Sequence, residues 1–524
     1  MKILYALLFP LLFLSQAYTQ SPLNLQLFGQ ANRGDSRYSG CWTYVAPGGT
    51  EYALIGTFTG TAIYDISEAN ELRERGYVPG PSSNWREITV IGDYAYVTTE
   101  GSGNGSGMQV LDLRPLPDSI QLLSTFDSTF TRGHIIQRDI YTEAPYVYIS
   151  GTSTTQGVHI LDVSDPAQPV EVGLYNPGYY IHDCHVNGDL LFAAAFFEGK
   201  MDVIDISDKS QPTFLTDIPD INGNTHSSWL SEDRKFLFLA SELDGTPGRI
   251  FNIEDLDNIF AVATYSANLQ SLVHNPYVRG DFAFISHNTE GLRVVDIADP
   301  NIPVEVGAYD TFSGSSGGFR GLWSACPYLP SGKIIGGNRE DGLYVWTFND
   351  ARAGRLCGQV LDAATDQPIS NAIIIVEESG DTLRSDFEGR FCWGALPGSY
   401  TLRTSSATTV YTTDRRSINL MAGSFEDLII RLDRIVATDP SPPQLSPRVY
   451  PNPASDRCEL TGVVAKRGWS LHCRDLSGRL VRRIPVGADG QFRWSVADWE
   501  RGVYLYQVVD REGRSRGGGK LLVK

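Results

Sequence analysis

Arg293-Val294-Val295-Asp296-Ile297-Ala298-Asp299-Pro300 decides the fold, because the chain keeps returning to it. Earlier copies read Ala62-Ile63-Tyr64-Asp65-Ile66-Ser67, Gln109-Val110-Leu111-Asp112-Leu113 and His159-Ile160-Leu161-Asp162-Val163-Ser164-Asp165-Pro166. Two more are Asp202-Val203-Ile204-Asp205-Ile206-Ser207-Asp208 and Arg249-Ile250-Phe251-Asn252-Ile253, and Gly342-Leu343-Tyr344-Val345-Trp346 is a degenerate last copy. The Asp or its substitute stands at 65, 112, 162, 205, 252 and 296, in steps of 47, 50, 43, 47 and 44 residues. A period of this length signals a repeat architecture.

Each unit has the same internal order. A short strand such as Tyr146-Val147-Tyr148-Ile149-Ser150 leads to a Gly-rich turn, the aliphatic strand ending in Asp, a turn, and a last run such as Val170-Glu171-Val172-Gly173-Leu174-Tyr175. Short runs rich in Val, Ile, Tyr and Phe, bounded by Gly, Asp and Pro, are strands. No convincing amphipathic helix lies between residues 21 and 350. Four strands in about 45 residues make one β-propeller blade, and a lone blade cannot bury both faces, so blades stack around an axis. Unit starts at Cys41, Trp85, His134, His182, His226, His274 and Trp323 count seven blades. The recurring Asp reads as a turn maker, since Asp bonds its own downstream backbone and Pro pre-sets the next φ.

These units resemble the LVIVD-repeat propellers, specifically the "choice-of-anchor B" proteins of bacteria. The stretches that carry the resemblance include Trp85-Arg86-Glu87-Ile88, Thr225-His226-Ser227-Ser228-Trp229-Leu230 and His274-Asn275-Pro276-Tyr277-Val278-Arg279-Gly280, within residues 25–350. Glu87 departs from the pattern, where the family more often has Asp. The resemblance implies fold and setting more than activity.

The chain divides into five parts. Residues 1–20, with Lys2, an apolar run from Ile3 to Leu14 and then Ser15-Gln16-Ala17, read as a secretory signal peptide. Residues 21–352 are the seven-bladed propeller. Residues 353–434 alternate like a small β-sandwich. Gly358-Gln359-Val360-Leu361-Asp362, Asp386-Phe387-Glu388-Gly389-Arg390-Phe391 and Leu396-Pro397-Gly398-Ser399-Tyr400 resemble the carboxypeptidase regulatory-like (transthyretin-like) domain, which implies a spacer or binding appendage. Residues 435–447 form a Pro-rich linker. Residues 448–524 open on Tyr450-Pro451-Asn452-Pro453, pass through Asp475-Leu476-Ser477-Gly478-Arg479 and end on Lys520-Leu521-Leu522-Val523-Lys524. They resemble the type A C-terminal sorting domain of the type IX secretion system. That implies passage across the outer membrane to the cell surface or the medium, and a Bacteroidota-type host. The fold class expected is therefore all-β: a seven-bladed β-propeller followed by two small β-sandwich domains.

A formal net charge of −18 argues against nucleic acid and anionic membrane surfaces as partners. Charge is uneven: residues 446–524 hold 15 Lys+Arg against 8 Asp+Glu, a net of +7, leaving −25 elsewhere. No segment after the leader reaches transmembrane length. Seven cysteines in an exported chain permit disulfides, and the candidates are Cys357 with Cys392, Cys458 with Cys473, and Cys41 with Cys326 across the ring closure. Cys184 fits a buried small hydrophobe.

Seven of the eight histidines lie in the repeat region, and His134, His182, His226 and His274 each start a unit. Superposed, they come from consecutive blades at one end of the central channel. Such imidazoles would bind a ligand or a divalent metal (Zn, Mn, Fe or Ca), with Asp183, Glu87 and Arg86 nearby. Asp183 or Glu87 would then serve as acid or base. The competing reading is that each His bonds a neighbouring blade's backbone. His182 and His185 are three apart, so on a regular strand they face opposite sides unless a bulge intervenes. His159 and His287 read as structural. No nucleophile elbow, phosphate loop or His-Glu-x-x-His is present. The expectation is a non-enzymatic surface or secreted binding module for glycan, peptide or another surface protein. The alternative is a metal-dependent hydrolase or lyase with a His-lined channel site.

Overall fold

The structure, a computed structural model, describes residues 21–220, 223–408, 410–435 and 446–524. The expected signal peptide and most of the expected linker lie outside the described residues. Every regular element among those described is a β-strand. Seven four-stranded antiparallel sheets come first. Six follow chain order, and they begin with Tyr38–Val45, Arg86–Ile91, Ile135–Gln137, Ile181–Asn187, Thr225–Leu230 and Asn275–Arg279. The seventh takes Leu322–Cys326, Ile334–Asn338 and Gly342–Phe348 from one end of the region and Leu25–Ala31 from the other. The first strand of each sheet packs against that of the next, and Leu322–Cys326 returns to Tyr38–Val45, so the contacts close into a ring.

This arrangement explains the opening motif. Neighbouring sheets cover both faces of each third strand, so Ala62 and Ile63, Val110 and Leu111, Val203 and Ile204, and Val294 and Val295 are all buried. Alternation disappears and a continuous aliphatic run remains. Each such side chain contributes about 1.5–3 kcal/mol on burial. Most outermost strands are half open, and residues 215–219 still alternate between solvent and interior.

The Asp residues are turn makers. Asp65, Asp112, Asp162, Asp205, Asn252 and Asp296 each accept the backbone N–H two residues on, at 2.8–3.1 Å. Asp165, Asp208, Asp255 and Asp299 repeat the bond one turn later, at 2.9–3.0 Å.

Residues 353–434 form a three-stranded and a four-stranded sheet around a core that includes Leu356, Val360, Ile374, Leu402 and Ile430. They belong to the same compact unit as the ring. Buried Arg355 donates to the Asp296 carboxylate at 2.8 Å and to the Ile302 carbonyl at 3.0 Å. One turn-making Asp of the ring thus also receives the following module. The unit after Arg434 repeats the two-sheet plan around Leu460, Leu471, Trp494, Val508 and Leu521.

Cys357 and Cys392 sit opposite each other on paired strands and form a disulfide. The other two expected bridges are corrected. Cys458 and Cys473 are separate buried thiols on strands of two facing sheets. Cys41 and Cys326 do meet at the ring closure, but Cys41 Sγ takes a bond from Ser324 at 3.3 Å and Cys326 Sγ lies 3.6 Å from Thr43 Oγ1. Each thiol faces a hydroxyl of the neighbouring sheet. Cys184 is buried, as expected.

Candidate functional site

Four of the seven first strands start with a bulge. Their register slips between Tyr38 and Cys41, Ile181 and Cys184, Thr225 and Ser227, and Leu322 and Ser324. The extra residue turns a side chain out of the ladder. At these places stand Gly40, His182, His226 and Trp323. His134 and His274 stand just before their strands, with backbone N–H groups bonded to the Ser150 and Ser286 carbonyls.

These side chains form a belt. Ring centroids lie 4.3 Å apart for His134 and His182, 4.4 Å for His182 and His226, 4.3 Å for His226 and His274, and 4.3 Å for His274 and Trp323. Trp323 Nε1–H then donates to Glu87 Oε1 at 3.0 Å. Gly40 leaves the room: a Cβ there would stand 2.1 Å from Glu87 Oε2. The four histidines predicted to converge are therefore together. The bulge is also what frees His182 from strand period, and three residues on His185 packs on Trp229 at 4.4 Å. Trp229 continues to Tyr277 and Tyr328 at 5.1 and 5.7 Å, a second aromatic layer.

The bland alternative for these histidines holds in part. His226 Nδ1 lies 3.0 Å from the His274 carbonyl, and His274 Nδ1 lies 2.8 Å from the Trp323 carbonyl. Each ring ties its sheet to the next. Only a protonated Nδ1 can make that bond, so in the neutral ring Nε2 is left as an acceptor. Two acidic residues, absent from the sequence-based candidates, complete the picture. Glu100 Oε1 meets His134 Nδ1 at 2.7 Å. Glu242 Oε1 lies 3.8 Å from His226 Nε2 and 3.7 Å from His274 Nε2. The sequence held a signal for both. Thr99-Glu100 and Ser241-Glu242 occupy the same place in their units, immediately after the second strand.

Charge divides the belt. Burial opposes a proton on His134, but the bond and charge of Glu100 outweigh it and raise its pKa. Burial, helped by the neighbouring imidazoles, holds His182 well below the usual range. Burial, followed by the neighbouring His274, pushes His226 down to about 3, and burial takes His274 to about 3. Glu87 is pushed up to about 7 by burial against the pull of its Trp323 bond. Asp183 is pushed up to about 7 by burial, although its carboxylate accepts the Cys184 N–H at 2.6 Å.

The remaining candidates stand elsewhere. Arg86 is fully buried and donates from Nε and Nη2 to the Thr57 and Pro81 carbonyls at 3.2 and 2.6 Å, while its Nη1 is buried and meets no hydrogen-bond partner among the described residues. His159 bonds Glu171 at 2.7 Å, and His287 Nε2 accepts the Ala267 N–H at 3.2 Å.

Residues 138–177, 180–218 and 275–311, in the third, fourth and sixth units, match the LVIVD repeat. Residues 448–524 match the secretion system C-terminal sorting domain. The chain carries LVIVD repeats and a type IX sorting tail. No curated protein matches it. The tail marks the chain for export by type IX secretion to the cell surface or the medium, and makes the secretion machinery a partner of residues 448–524. No helix of the described residues is long and apolar enough to cross a membrane.

Proposed function

We propose that this chain is an exported seven-bladed β-propeller that acts as a non-enzymatic binding module for an extracellular glycan, peptide or surface protein. In this reading residues 353–434 are a carboxypeptidase regulatory-like spacer of the "choice-of-anchor B" type of protein. The observation that carries it lies on the connections at the histidine end of the ring. Phe197, Leu269, Phe319 and Leu243 are 77, 55, 49 and 40 % exposed. Phe197 packs on Tyr180 at 5.7 Å, and Tyr180 on His182 at 5.9 Å, so the exposed aromatic group continues from the belt. The Gly245 N–H donates to the Leu269 carbonyl at 2.7 Å, and the Gly318 N–H to Asp244 at 3.3 Å, tying the other connections together. Large apolar side chains exposed on loops can mark interaction surfaces.

The test is retention of the full chain on arrays of immobilised polysaccharides and peptides. Saturable retention reduced about tenfold or more in a Phe197→Ala, Phe319→Ala double variant, a loss of roughly 1.4 kcal/mol, supports the assignment. Retention unchanged by that variant overturns it.

A second reading is favoured by the approach of His182, His226 and Glu242. A metal-dependent hydrolase or lyase would use a bound cation to activate water, with Glu87 or Asp183, both near 7, as acid or base. Hydrolysis of acyl or glycosidic substrates that falls away in Glu87→Gln would favour it over simple binding.

A further inference from the structure

Three acceptor atoms meet at the belt without a donor between them. The Nε2 atoms of His226 and His274 are acceptors, because their Nδ1–H groups are committed to carbonyls. Glu242 Oε1 faces both, at 3.8 and 3.7 Å. One nitrogen of His182 joins the group, since ligand atoms of His182, His226 and Glu242 all lie within 4.8 Å of one another. His274 Nε2 is buried and meets no hydrogen-bond partner among the described residues. Convergent lone pairs repel, and a buried acceptor left unsatisfied carries a desolvation penalty of its own. A cation at the shared point removes both penalties.

The geometry points to a divalent transition-metal site formed by His182, His226 and Glu242, with His274 beside it. Metal–nitrogen and metal–oxygen bonds of about 2.0–2.2 Å in a tetrahedron place ligand atoms roughly 3.4 Å apart. The Glu242–His226 separation of 3.8 Å closes to that value with a shift of a few tenths of an ångström, and the His182 nitrogen, within 4.8 Å of both, approaches by rotation of its ring. Two imidazoles and one carboxylate suit Zn²⁺ or Fe²⁺ better than Ca²⁺, which takes six to eight oxygens. The outer support is in place as well. Metal-binding histidines hold their orientation by donating the second ring N–H to a carbonyl, as His226 does to His274. Three protein ligands leave a coordination position for water or an incoming group. Glu242 is the most exposed of the three, at 11 % of its side chain against 2 % for His226, and marks the side of access. The site differs from the four-histidine set suggested by unit starts. His134 bonds Glu100 through Nδ1 and is not among the residues whose ligand atoms lie within 4.8 Å of one another.

This inference rests on the ring geometry and is independent of the binding role proposed above. The full chain, purified without a polyhistidine tag and stripped with a chelator, is titrated with Zn²⁺ and with Co²⁺, whose visible spectrum reports coordination number. The expected result is one equivalent per chain and a four- or five-coordinate Co²⁺ spectrum. Glu242→Gln and His226→Gln each weaken binding roughly 100-fold or more, while His472→Ala in the tail leaves it unchanged. Circular dichroism of the stripped proteins checks that each variant is folded, and His182→Gln replaces any that is not. Failure to take up either metal, or uptake unaffected by Glu242→Gln and His226→Gln, overturns the site. Array binding that survives metal stripping leaves the proposed binding role standing on its own.

Discussion

Gly40 and His287 show how single residues set the terms of the histidine belt and its surroundings. A Cβ at Gly40 would stand 2.1 Å from Glu87 Oε2 and 2.8 Å from the Arg86 carbonyl, so Glu87 cannot keep its bond to Trp323 beside an alanine. Gly40→Ala is expected to destabilise the ring by about 1–3 kcal/mol, read from urea unfolding, with a change in the near-ultraviolet signal of Trp323. His287 carries a pH dependence. Burial pushes its pKa down to about 3, below the ordinary 6.5, and its Nε2 accepts an N–H that protonation would break. The unfolded chain therefore takes up this proton between pH 6.5 and 3 while the folded chain does not. The stability contribution is fully present above pH 6.5 and drains as pH falls toward 3, with a slope of up to about 1.4 kcal/mol per pH unit. Unfolding midpoints at several pH values should show a shallower fall in His287→Gln, which keeps an acceptor and loses the titration. Much at this scale was legible in the sequence. The turn-making Asp residues and the convergent histidines were, because Asx turns are local and the unit starts repeat. Glu242 was not, since its partners lie 16 and 32 residues away along the chain and only the ring brings them together. The backbone bonds of Arg86 were not legible either, since Thr57 lies 29 residues away along the chain.

Strands and their junctions carry the next set of consequences. Leu25–Ala31 completes the seventh sheet by pairing with Gly342–Phe348, so the two ends of the region hold the ring shut. Deleting residues 22–31 leaves Gly342–Phe348 as an open edge, and the expected outcome is association of copies through that edge, visible by size-exclusion chromatography. The disulfide joins neighbouring strands Gly354–Asp362 and Arg390–Ala395 across a sequence separation of 35. Replacing both cysteines with serine should lower the stability of residues 353–434 by about 2–4 kcal/mol, measured by proteolysis of that module. Arg355 ties the same module to the ring through Asp296, with both side chains essentially buried. Arg355→Met leaves a buried carboxylate without its partner and is expected to cost about 3–5 kcal/mol, with residues 353–434 becoming protease-sensitive first. Strand number and order were readable from runs of Val, Ile, Tyr and Phe between turn signals. The bulges at 182 and 226 were not, because one extra residue leaves no mark in composition and appears only in the register with the neighbouring strand.

At the scale of the whole molecule, the tail supplies the address. Removing residues 448–524 should leave the rest of the chain in the periplasm, and fractionation with an antibody to the ring would detect it there. The same tail on a periplasmic reporter should carry it to the surface or the medium. The sequence by itself determined the repeat, the all-β class, the turn chemistry and the export route. Each of these is written in contiguous patterns: a period near 45 residues, Asp at a fixed place before a turn, and an ordered set of tail motifs. Tertiary structure alone decided which side chains meet. It placed Glu242 against His226 and His274, gave Glu100 to His134, kept Cys41 and Cys326 as thiols facing hydroxyls, and sent Arg86 into the backbone. These outcomes depend on separations of a few ångströms between residues far apart in the chain, and on bulges that shift a side chain by one place, which no local pattern encodes.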